Sequence, residues 1–460
     1  MKKSALTIAL LSSLALGAYA DSQTFYGGTS RTTVSGTTID TDATFDSTDG
    51  KYYAANGITV HTLNFINGDV AIANTIGWNA NNGITVDINS DAESVDAMTG
   101  SGEWQQNLFS LTFKNSGGGA KANINVGKFT ITANNASGQN SYLKFNNVDA
   151  VVTTTSASAF GVNSKASAAP NRMYLNVDSG SNVEWNGDIN VQSSAILNIA
   201  GTLTHKGKIS FSGDEVSTLN VTGEIIFDYS AGQTINTSFN LAGRISQTSA
   251  SADNGMTLNR TSVIENGGYL KAHSRLVLNT NSTTTVESGG AIEVSKDASN
   301  VARILFQNNS SLTLNSANCL ITSGTADAMR LATFVGANAK LYVNADQTFI
   351  SMYSNAGDFS IYLGDGVNIT IQSAWMSLSG SGTFSIYNFQ EDSFYVGVNA
   401  DRKAYIESNV TLYDADEQLL GAATVNDLGY IALVAVPEPA TWAALLGAIA
   451  LGFAAYRRRK

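Results

Sequence analysis

The sequence predicts an all-β protein built as an elongated parallel β-helix, or β-solenoid, with a right-handed winding. Three observations favour this fold. A short motif recurs at intervals of roughly 21 residues, close to the length of one solenoid coil. Glycine is frequent, with 42 residues among 460, and charged residues make up only 14 %, below the ~25 % of ordinary globular domains. Ser, Thr, Asn, Val and Ile are abundant, which favours short strands joined by tight corners.

The recurring motif is an apolar residue, an asparagine and a second apolar residue. Its four regular copies follow one another at nearly equal spacing, and three of them share a glycine at Gly201, Gly223 and Gly243. Alternate side chains of a strand point to opposite faces, so the apolar residues face the core and the asparagines face outward. Coils of a solenoid stack about 4.8 Å apart. We therefore predict an outward ladder of Asn176, Asn198, Asn220 and Asn240.

The repeat and the two ends divide the chain into five segments. At about 21 residues per coil, the mature chain would form roughly 20 coils. No long amphipathic helix is expected in the body. The predicted segments are a signal peptide at 1–20, an N-terminal cap at 21–60, the solenoid body at 61–403, closing strands at 404–435 and a sorting signal at 436–460.

The N-terminus has the three-part pattern of a secretory signal peptide: a basic start, a short apolar helix-forming stretch and small residues at Ala18 and Ala20. We predict cleavage after Ala20, so that Asp21 begins the mature chain. The alternative is an uncleaved anchor helix, but the apolar stretch is shorter than the ~20 residues of a membrane span.

The C-terminal segment differs from the rest of the chain. Two prolines flank Glu438, and proline neither continues a helix nor donates a backbone hydrogen bond. The apolar segment 440–456 that follows predicts a single transmembrane helix of about 25 Å. A basic cluster ends the chain, and clustered cations stay on the cytoplasmic side of a membrane. The body is therefore expected outside the inner membrane, anchored there through this span before processing.

This order of parts resembles the PEP-CTERM sorting signal of Gram-negative bacteria, a tail also known as the ice-binding-protein C-terminal domain. The resemblance covers residues 436–460 and implies processing by an exosortase, a membrane-bound enzyme similar to cysteine proteases. It also implies release or transfer to the cell surface, often alongside exopolysaccharide. An ordinary tail anchor is the alternative. The residues that carry the motif are Pro437, Glu438, Pro439, Arg457, Arg458 and Arg459.

The body has a diffuse similarity to autotransporter-passenger-like adhesins. Without the two N-terminal lysines and the basic tail, the net charge falls from −11 to −16. Such an acidic body argues against nucleic acid or anionic lipid as a partner. The single cysteine, Cys319, excludes an intramolecular disulfide framework and is expected to fill a core position.

The residues that carry chemistry are few. None of the three histidines, His61, His205 and His273, has metal-ligand spacing, and we expect exposed strand positions for them. The chain has no GxSxG elbow. Carboxylates on an outer face are the remaining candidates for catalysis. The alternative function is therefore that of a polysaccharide-degrading β-helix enzyme, a lyase or glycoside hydrolase. Ice binding is disfavoured because threonines form no regular T-x-T column.

These patterns predict a secreted or cell-surface structural or adhesive protein without enzymatic activity or cofactor. Its expected partners are signal peptidase, an exosortase-type enzyme, and glycans or the exopolysaccharide matrix. It is expected to cross the inner membrane, to be anchored there transiently and then to reach the cell surface or the extracellular space.

Overall fold

The structure, a computed structural model, describes 20 segments of the chain. They are residues 23–25, 43–46, 51–54, 62–66, 70–72, 76–78, 83–89, 92–99, 103–106, 110–132, 140–161, 172–211, 217–248, 255–296, 302–324, 330–333, 338–354, 357–372, 379–434 and 439–458.

The molecule is built of long parallel sheets, as a β-solenoid requires. Each coil contributes one strand to each of three sheets, which we call the ladder sheet, the second sheet and the third sheet. The next coil adds its strands in the same order, one sheet position further along. The chain thus pairs each strand with its equivalent one coil later, for example Leu175 with Leu197 and Leu197 with Leu219.

The ladder sheet contains 15 parallel strands in the described residues. They are Thr62–Ile66, Gly83–Asn89, Ser110–Gly117, Ser141–Asn146, Met173–Val177, Ala195–Ile199, Thr218–Val221, Ser238–Leu241, Thr261–Ile264, Thr283–Val286, Ser311–Leu314, Ala339–Val343, Asp358–Leu363, Thr383–Tyr387 and Val410–Tyr413. Two antiparallel strands, Leu419–Val425 and Ile431–Leu433, extend it at the C-terminal end.

The second sheet begins with an antiparallel pair and continues as a parallel sheet. Its strands are Gln23–Phe25, Ala43–Asp46, Lys51–Ala54, Val70–Ile72, Ser94–Thr99, Lys121–Val126, Asp149–Thr154, Asn182–Asn186, Thr202–His205, Glu224–Phe227, Arg244–Gln247, Tyr269–His273, Ala291–Lys296 and Leu320–Gly324. In the last coils a three-stranded sheet follows, formed by Gln347–Phe349, Ile369–Ile371 and Phe394–Tyr395.

The third sheet has two parts. The first has six strands: Ile76–Trp78, Glu103–Gln106, Lys128–Ile131, Ser158–Phe160, Ile189–Val191 and Ile209–Phe211. The second has seven: Gln233–Ile235, Met256–Leu258, Arg275–Leu278, Arg303–Phe306, Arg330–Thr333, Ser351–Ser354 and Ser379–Gly380.

The core fills the space between the three sheets. Strand residues alternate between buried and partly exposed, as in Ala195–Ile199, because successive side chains point to opposite faces. Large aromatic side chains occupy the interior; Trp185 packs against Phe129 and Phe160 with ring centroids 5.8 and 5.7 Å apart. Burial of apolar area on this scale stabilises the fold by about 25 cal/mol per Å².

The three glycines that the repeat places in register form a column at one corner of the coil. A Cβ on Gly243 would collide with the carbonyl oxygen of Gly223, and one on Gly223 would collide with that of Gly201. The backbones of successive coils therefore approach one another more closely at this corner than any side chain allows. Glycine is required here because there is no space for a Cβ atom.

Within the described residues the ladder sheet has 15 parallel strands, where roughly 20 coils are predicted for the mature chain, and the coil length varies. One coil leads from Leu175 to Leu197, whereas the coil before it leads from Leu143 to Leu175 and is nearly half as long again. A constant period of about 21 residues therefore does not describe every coil.

Two helices occur in the described residues. Helix α1, Ala400–Asn409, precedes the last parallel strand and was not expected from the sequence. The side chain of Asn399 caps it by accepting a hydrogen bond from the backbone N–H of Arg402, and the helix buries its own Ile406. Helix α2, Pro439–Arg458, forms the C-terminal tail.

The glycine column yields the first prediction. Gly223→Ala forces a methyl group against backbone atoms of the preceding coil, so we expect the free energy of unfolding to fall by about 1–3 kcal/mol. Urea denaturation followed by far-UV circular dichroism measures this change. Gly119→Ala is the matched control, because its Cβ would meet no atom within 4 Å. Equal stability of the two variants would contradict a steric role for the corner.

Candidate functional site

The outer face of the ladder sheet carries the asparagines that the repeat singles out. Asn198 donates a hydrogen bond to Asn176 over 3.0 Å, and Asn220 donates to Asn198 over 2.8 Å. Asn240 lies in register with Asn220 on the next strand. Each side-chain amide has two N–H groups and an oxygen with two lone pairs, so a ladder uses only part of its hydrogen-bonding capacity.

A second set of asparagines follows the corner between the third sheet and the ladder sheet, which we call the asparagine corner. Here Asn279 donates to Asn259 over 2.8 Å, and Asn259 donates to Asn236 over 3.2 Å. In the following coils Asn309 donates to Asn281 over 3.1 Å, and Asn338 donates to Asn309 over 3.3 Å.

The last three residues of the asparagine corner have left-handed backbone conformations. Their φ angles are 62° at Asn281, 55° at Asn309 and 63° at Asn338. Asparagine tolerates this region better than other residues with a side chain. The corner thus needs a turn residue that also offers an amide, and asparagine meets both requirements.

Two open grooves lie along the asparagine corner. The first, of about 500 Å³, includes Asn236, Asn259 and Asn279 in its lining. The second, of about 630 Å³, starts at Asn309 and Asn338 and extends over the outer face of the ladder sheet. Since asparagines of one corner line both, a polar surface with repeating amide groups follows the solenoid for several coils.

A column of four tyrosines stands beside the second groove. The ring centroids are 4.7 Å apart between Tyr342 and Tyr362, 4.5 Å between Tyr362 and Tyr387, and 4.5 Å between Tyr387 and Tyr413. The planes differ by only 9–19°. In-register parallel strands repeat the same side-chain direction at each coil, so the rings stack face to face at the strand spacing.

Burial within the column changes the acidity of its phenols. Desolvation is the main cause that raises the pKa of Tyr362 to about 12, and the neighbouring Tyr387 and Glu417 raise it further. Desolvation also raises the pKa of Tyr387. These phenols are neutral at physiological pH and act as hydrogen-bonding groups.

Asp358 lies at the edge of the second groove and is engaged by neighbouring hydroxyls. Its carboxylate accepts hydrogen bonds from Ser360 over 3.2 Å and from Thr383 and Ser385 over 3.1 Å each. Three donors satisfy much of its hydrogen-bonding capacity, so Asp358 holds the side chains of Ser360, Thr383 and Ser385 in place. The cation of the groove is Lys340, whose Nζ lies 5.8 Å from the ring centroid of Tyr362.

The structure buries two of the residues considered for chemistry. His205 is fully buried, contrary to the exposed position expected from the sequence. It is the last residue of the strand Thr202–His205, its side chain faces the core, and it lies in register with Trp185 and Phe227. Desolvation lowers its pKa to about 4. Burial raises the pKa of the Cys319 thiol to about 11, so it remains a thiol in the core. His273 is half-buried, and His61 lies outside the described residues.

Several predicted positions at the two ends lie outside the described residues, namely Ala18, Ala20, Asp21, Pro437, Glu438 and Arg459. Pro439 is the first residue of α2, and Arg457 and Arg458 are exposed in its last turn. The predicted helical conformation of 440–456 is thus present.

Within the described residues, no helix combines the length and apolar character needed to cross a membrane. The transmembrane span predicted over 440–456 stays a prediction.

Sequence reasoning missed the asparagine corner and the tyrosine column. The corner asparagines lie in turns, outside the apolar-Asn-apolar motif. The tyrosines are unevenly spaced along the chain, so a fixed period does not align them. The available signal was the repeated placement of tyrosine at the last outward position of successive strands.

Tyrosine ionisation tests the packing of the column. Since the pKa of Tyr362 is about 12 and that of a free tyrosine is 10.0, we expect a late-titrating phenol in near-UV absorbance. The stability associated with this shift is present below pH 10 and lost as the pH rises to 12. Tyr362→Phe should remove one late-titrating phenol; an unchanged titration curve would contradict the desolvation of Tyr362 in the column.

The buried histidine predicts a pH dependence of stability. The pKa of His205 is about 4 in the folded protein and near 6.5 in the unfolded chain, so the unfolded state binds more protons between these values. Stability should therefore fall by up to ~3 kcal/mol from pH 7 to pH 4. Thermal unfolding of His205→Phe should show a flatter pH profile than that of the wild type. Parallel profiles would refute this contribution, because carboxylates titrate equally in both proteins.

Comparison with known proteins identifies the tail. Residues 435–460 match the family model of the PEP-CTERM protein-sorting motif. No curated protein and no solved structure matches the chain. The match confirms the sorting signal predicted from Pro437, Glu438, Pro439 and the arginine cluster, and it covers only the C-terminal end of the chain. The chain carries a PEP-CTERM sorting motif, which directs a protein to exosortase processing and to the cell surface or the extracellular space.

Proposed function

We propose that this protein is a non-enzymatic structural and adhesive component of the cell surface or its matrix. Its solenoid body acts as a spacer that presents the asparagine corner to extended polymers. The observation that carries this proposal is the repetition of hydrogen-bonded amides along that corner, next to two open grooves. A linear polymer with regularly spaced hydroxyls is complementary to a regularly spaced row of donors and acceptors.

The sorting motif supports the location that this function needs. Exosortase processing separates the tail from the body, and the signal peptidase cleaves at the other end of the chain. The strongly acidic body, with a net charge of −16 without the ends, favours solubility outside the cell and disfavours adsorption to anionic membranes.

The first test is the C-terminal mass of the protein recovered from the native cell surface. We expect an end between residues 436 and 441, as removal of the sorting tail requires. An end at Lys460 would contradict export by this route and would indicate a tail-anchored protein. Release of reducing ends or unsaturated products from polysaccharides by the purified protein would instead favour the polysaccharide-degrading alternative.

Substitution of the sorting motif tests the role of its residues. Replacing Pro437, Glu438 and Pro439 with alanine should block processing, because the enzyme loses the Pro-Glu-Pro sequence that it reads. We expect the variant to retain Lys460 and to remain cell-associated, measured by mass spectrometry and fractionation. Glu417→Gln, an exposed change outside the motif, is the control and should be processed normally. Normal processing of the triple variant would exclude a recognition role for the motif.

A further inference from the structure

The tyrosine column ends abruptly at Tyr342. On the preceding strand the position in register with Tyr342 is occupied by Thr313. A threonine side chain is too short to cover a phenol ring, whereas the corresponding face of each later ring in the column is covered by the preceding tyrosine. The face of Tyr342 that points toward Thr313 is therefore not covered by a ring on the preceding strand. It forms a step in the outer surface of the ladder sheet.

The second groove lies on both sides of this step. Its lining includes Asn309 and Ser311, which belong to the coil of Thr313, together with Tyr342 and Lys340 from the following coil. An aromatic face thus borders a groove of about 630 Å³ in which amide and hydroxyl groups point at the same space. A mainly hydrophobic pocket with few polar groups is typical of drug-like ligands, and this groove has the opposite balance.

These groups match the two kinds of surface that a pyranose ring presents. The C–H bonds on one face of the sugar carry partial positive charge and pack on the negative face of an aromatic ring. The hydroxyls at the sugar's rim exchange hydrogen bonds with amides such as those of Asn309 and Asn338. An extended chain of such rings can follow the asparagine corner, since the amides continue toward Asn281.

The charges around the groove favour a neutral chain. The single positive charge of Lys340 is opposed by the carboxylate of Asp358 in the same lining, which three hydroxyls already hold. The body as a whole carries −16, so a polyanionic chain would be repelled at low ionic strength.

From this geometry we infer that the ring face of Tyr342 is the stacking platform of a binding site for a neutral polysaccharide chain, which Asn309 and Asn338 hydrogen-bond. This inference rests on the proposed adhesive function and gives it a ligand class and a location. The chain lies along the asparagine corner, and the platform fixes one sugar ring on it.

Affinity gel electrophoresis of the full chain provides the test, with a soluble β-glucan, a galactomannan and a dextran as neutral probes and alginate as the acidic comparison. We expect at least one neutral probe to retard the wild type. Tyr342→Ala should weaken this binding by about tenfold or more, because the platform is lost. Tyr342→Trp should retain it, because a flat aromatic face remains.

Tyr174→Ala is the matched control. Tyr174 stacks on Tyr142 on the same outer sheet face, with centroids 4.9 Å apart, but it lies outside the groove. It should bind as the wild type does. Far-UV circular dichroism of each variant excludes loss of folding as the cause of weaker binding.

Three results would overturn the inference: no retardation by any neutral probe, equal retardation of Tyr342→Ala and wild type, or retardation by alginate alone. None of these three results would contradict the proposed surface role, provided that the native protein has the processed C-terminus. Conversely, binding by the purified protein combined with an intact Lys460 on native material would retain the site and refute the surface role.

Discussion

Parallel backbone hydrogen bonding between successive coils sets the geometry on which every other feature depends. It fixes a separation of about 4.8 Å along the solenoid and returns each residue to the position of its equivalent one coil earlier. A side chain therefore meets a copy of its own position above and below. Amide ladders, the stacked phenols and the glycine column are three consequences of this rule. The repeated residue forms hydrogen bonds in the amide ladders, stacks in the tyrosine column, and leaves space for the neighbouring backbone in the glycine column.

The parts of this fold that could be predicted from sequence are those in which the coil length is constant. From Leu175 to Phe239 the steps are nearly equal, so the alternation of the apolar residues around Asn198 and the register of Gly223 are visible. Elsewhere the number of residues per coil varies, which shifts the phase of the pattern along the chain. The spacing of Tyr342, Tyr362 and Tyr387 is irregular for this reason, although the three rings stack regularly in space.

The burial of His205 illustrates a second limit of prediction from the sequence. Its strand reads Thr-Leu-Thr-His, in which Leu203 and His205 share one face, so period-two alternation places the histidine inside. Composition alone assigns histidine to the surface because its charged form is costly to bury. Helix α1 shows the same competition between local and global signals: an asparagine cap and ten residues without glycine or proline form a helix within a chain otherwise rich in β-formers.

The direction of the strands has a mechanical consequence. Because they run across the long axis, tension applied along that axis pulls neighbouring coils apart and opens one row of hydrogen bonds at a time, beginning at an end. Each coil that detaches releases roughly 22–32 residues, which extend by about 75–110 Å. A protein held at a surface by one end and loaded at the other would therefore lengthen in discrete steps and dissipate work at each, while the coils not yet detached keep their form.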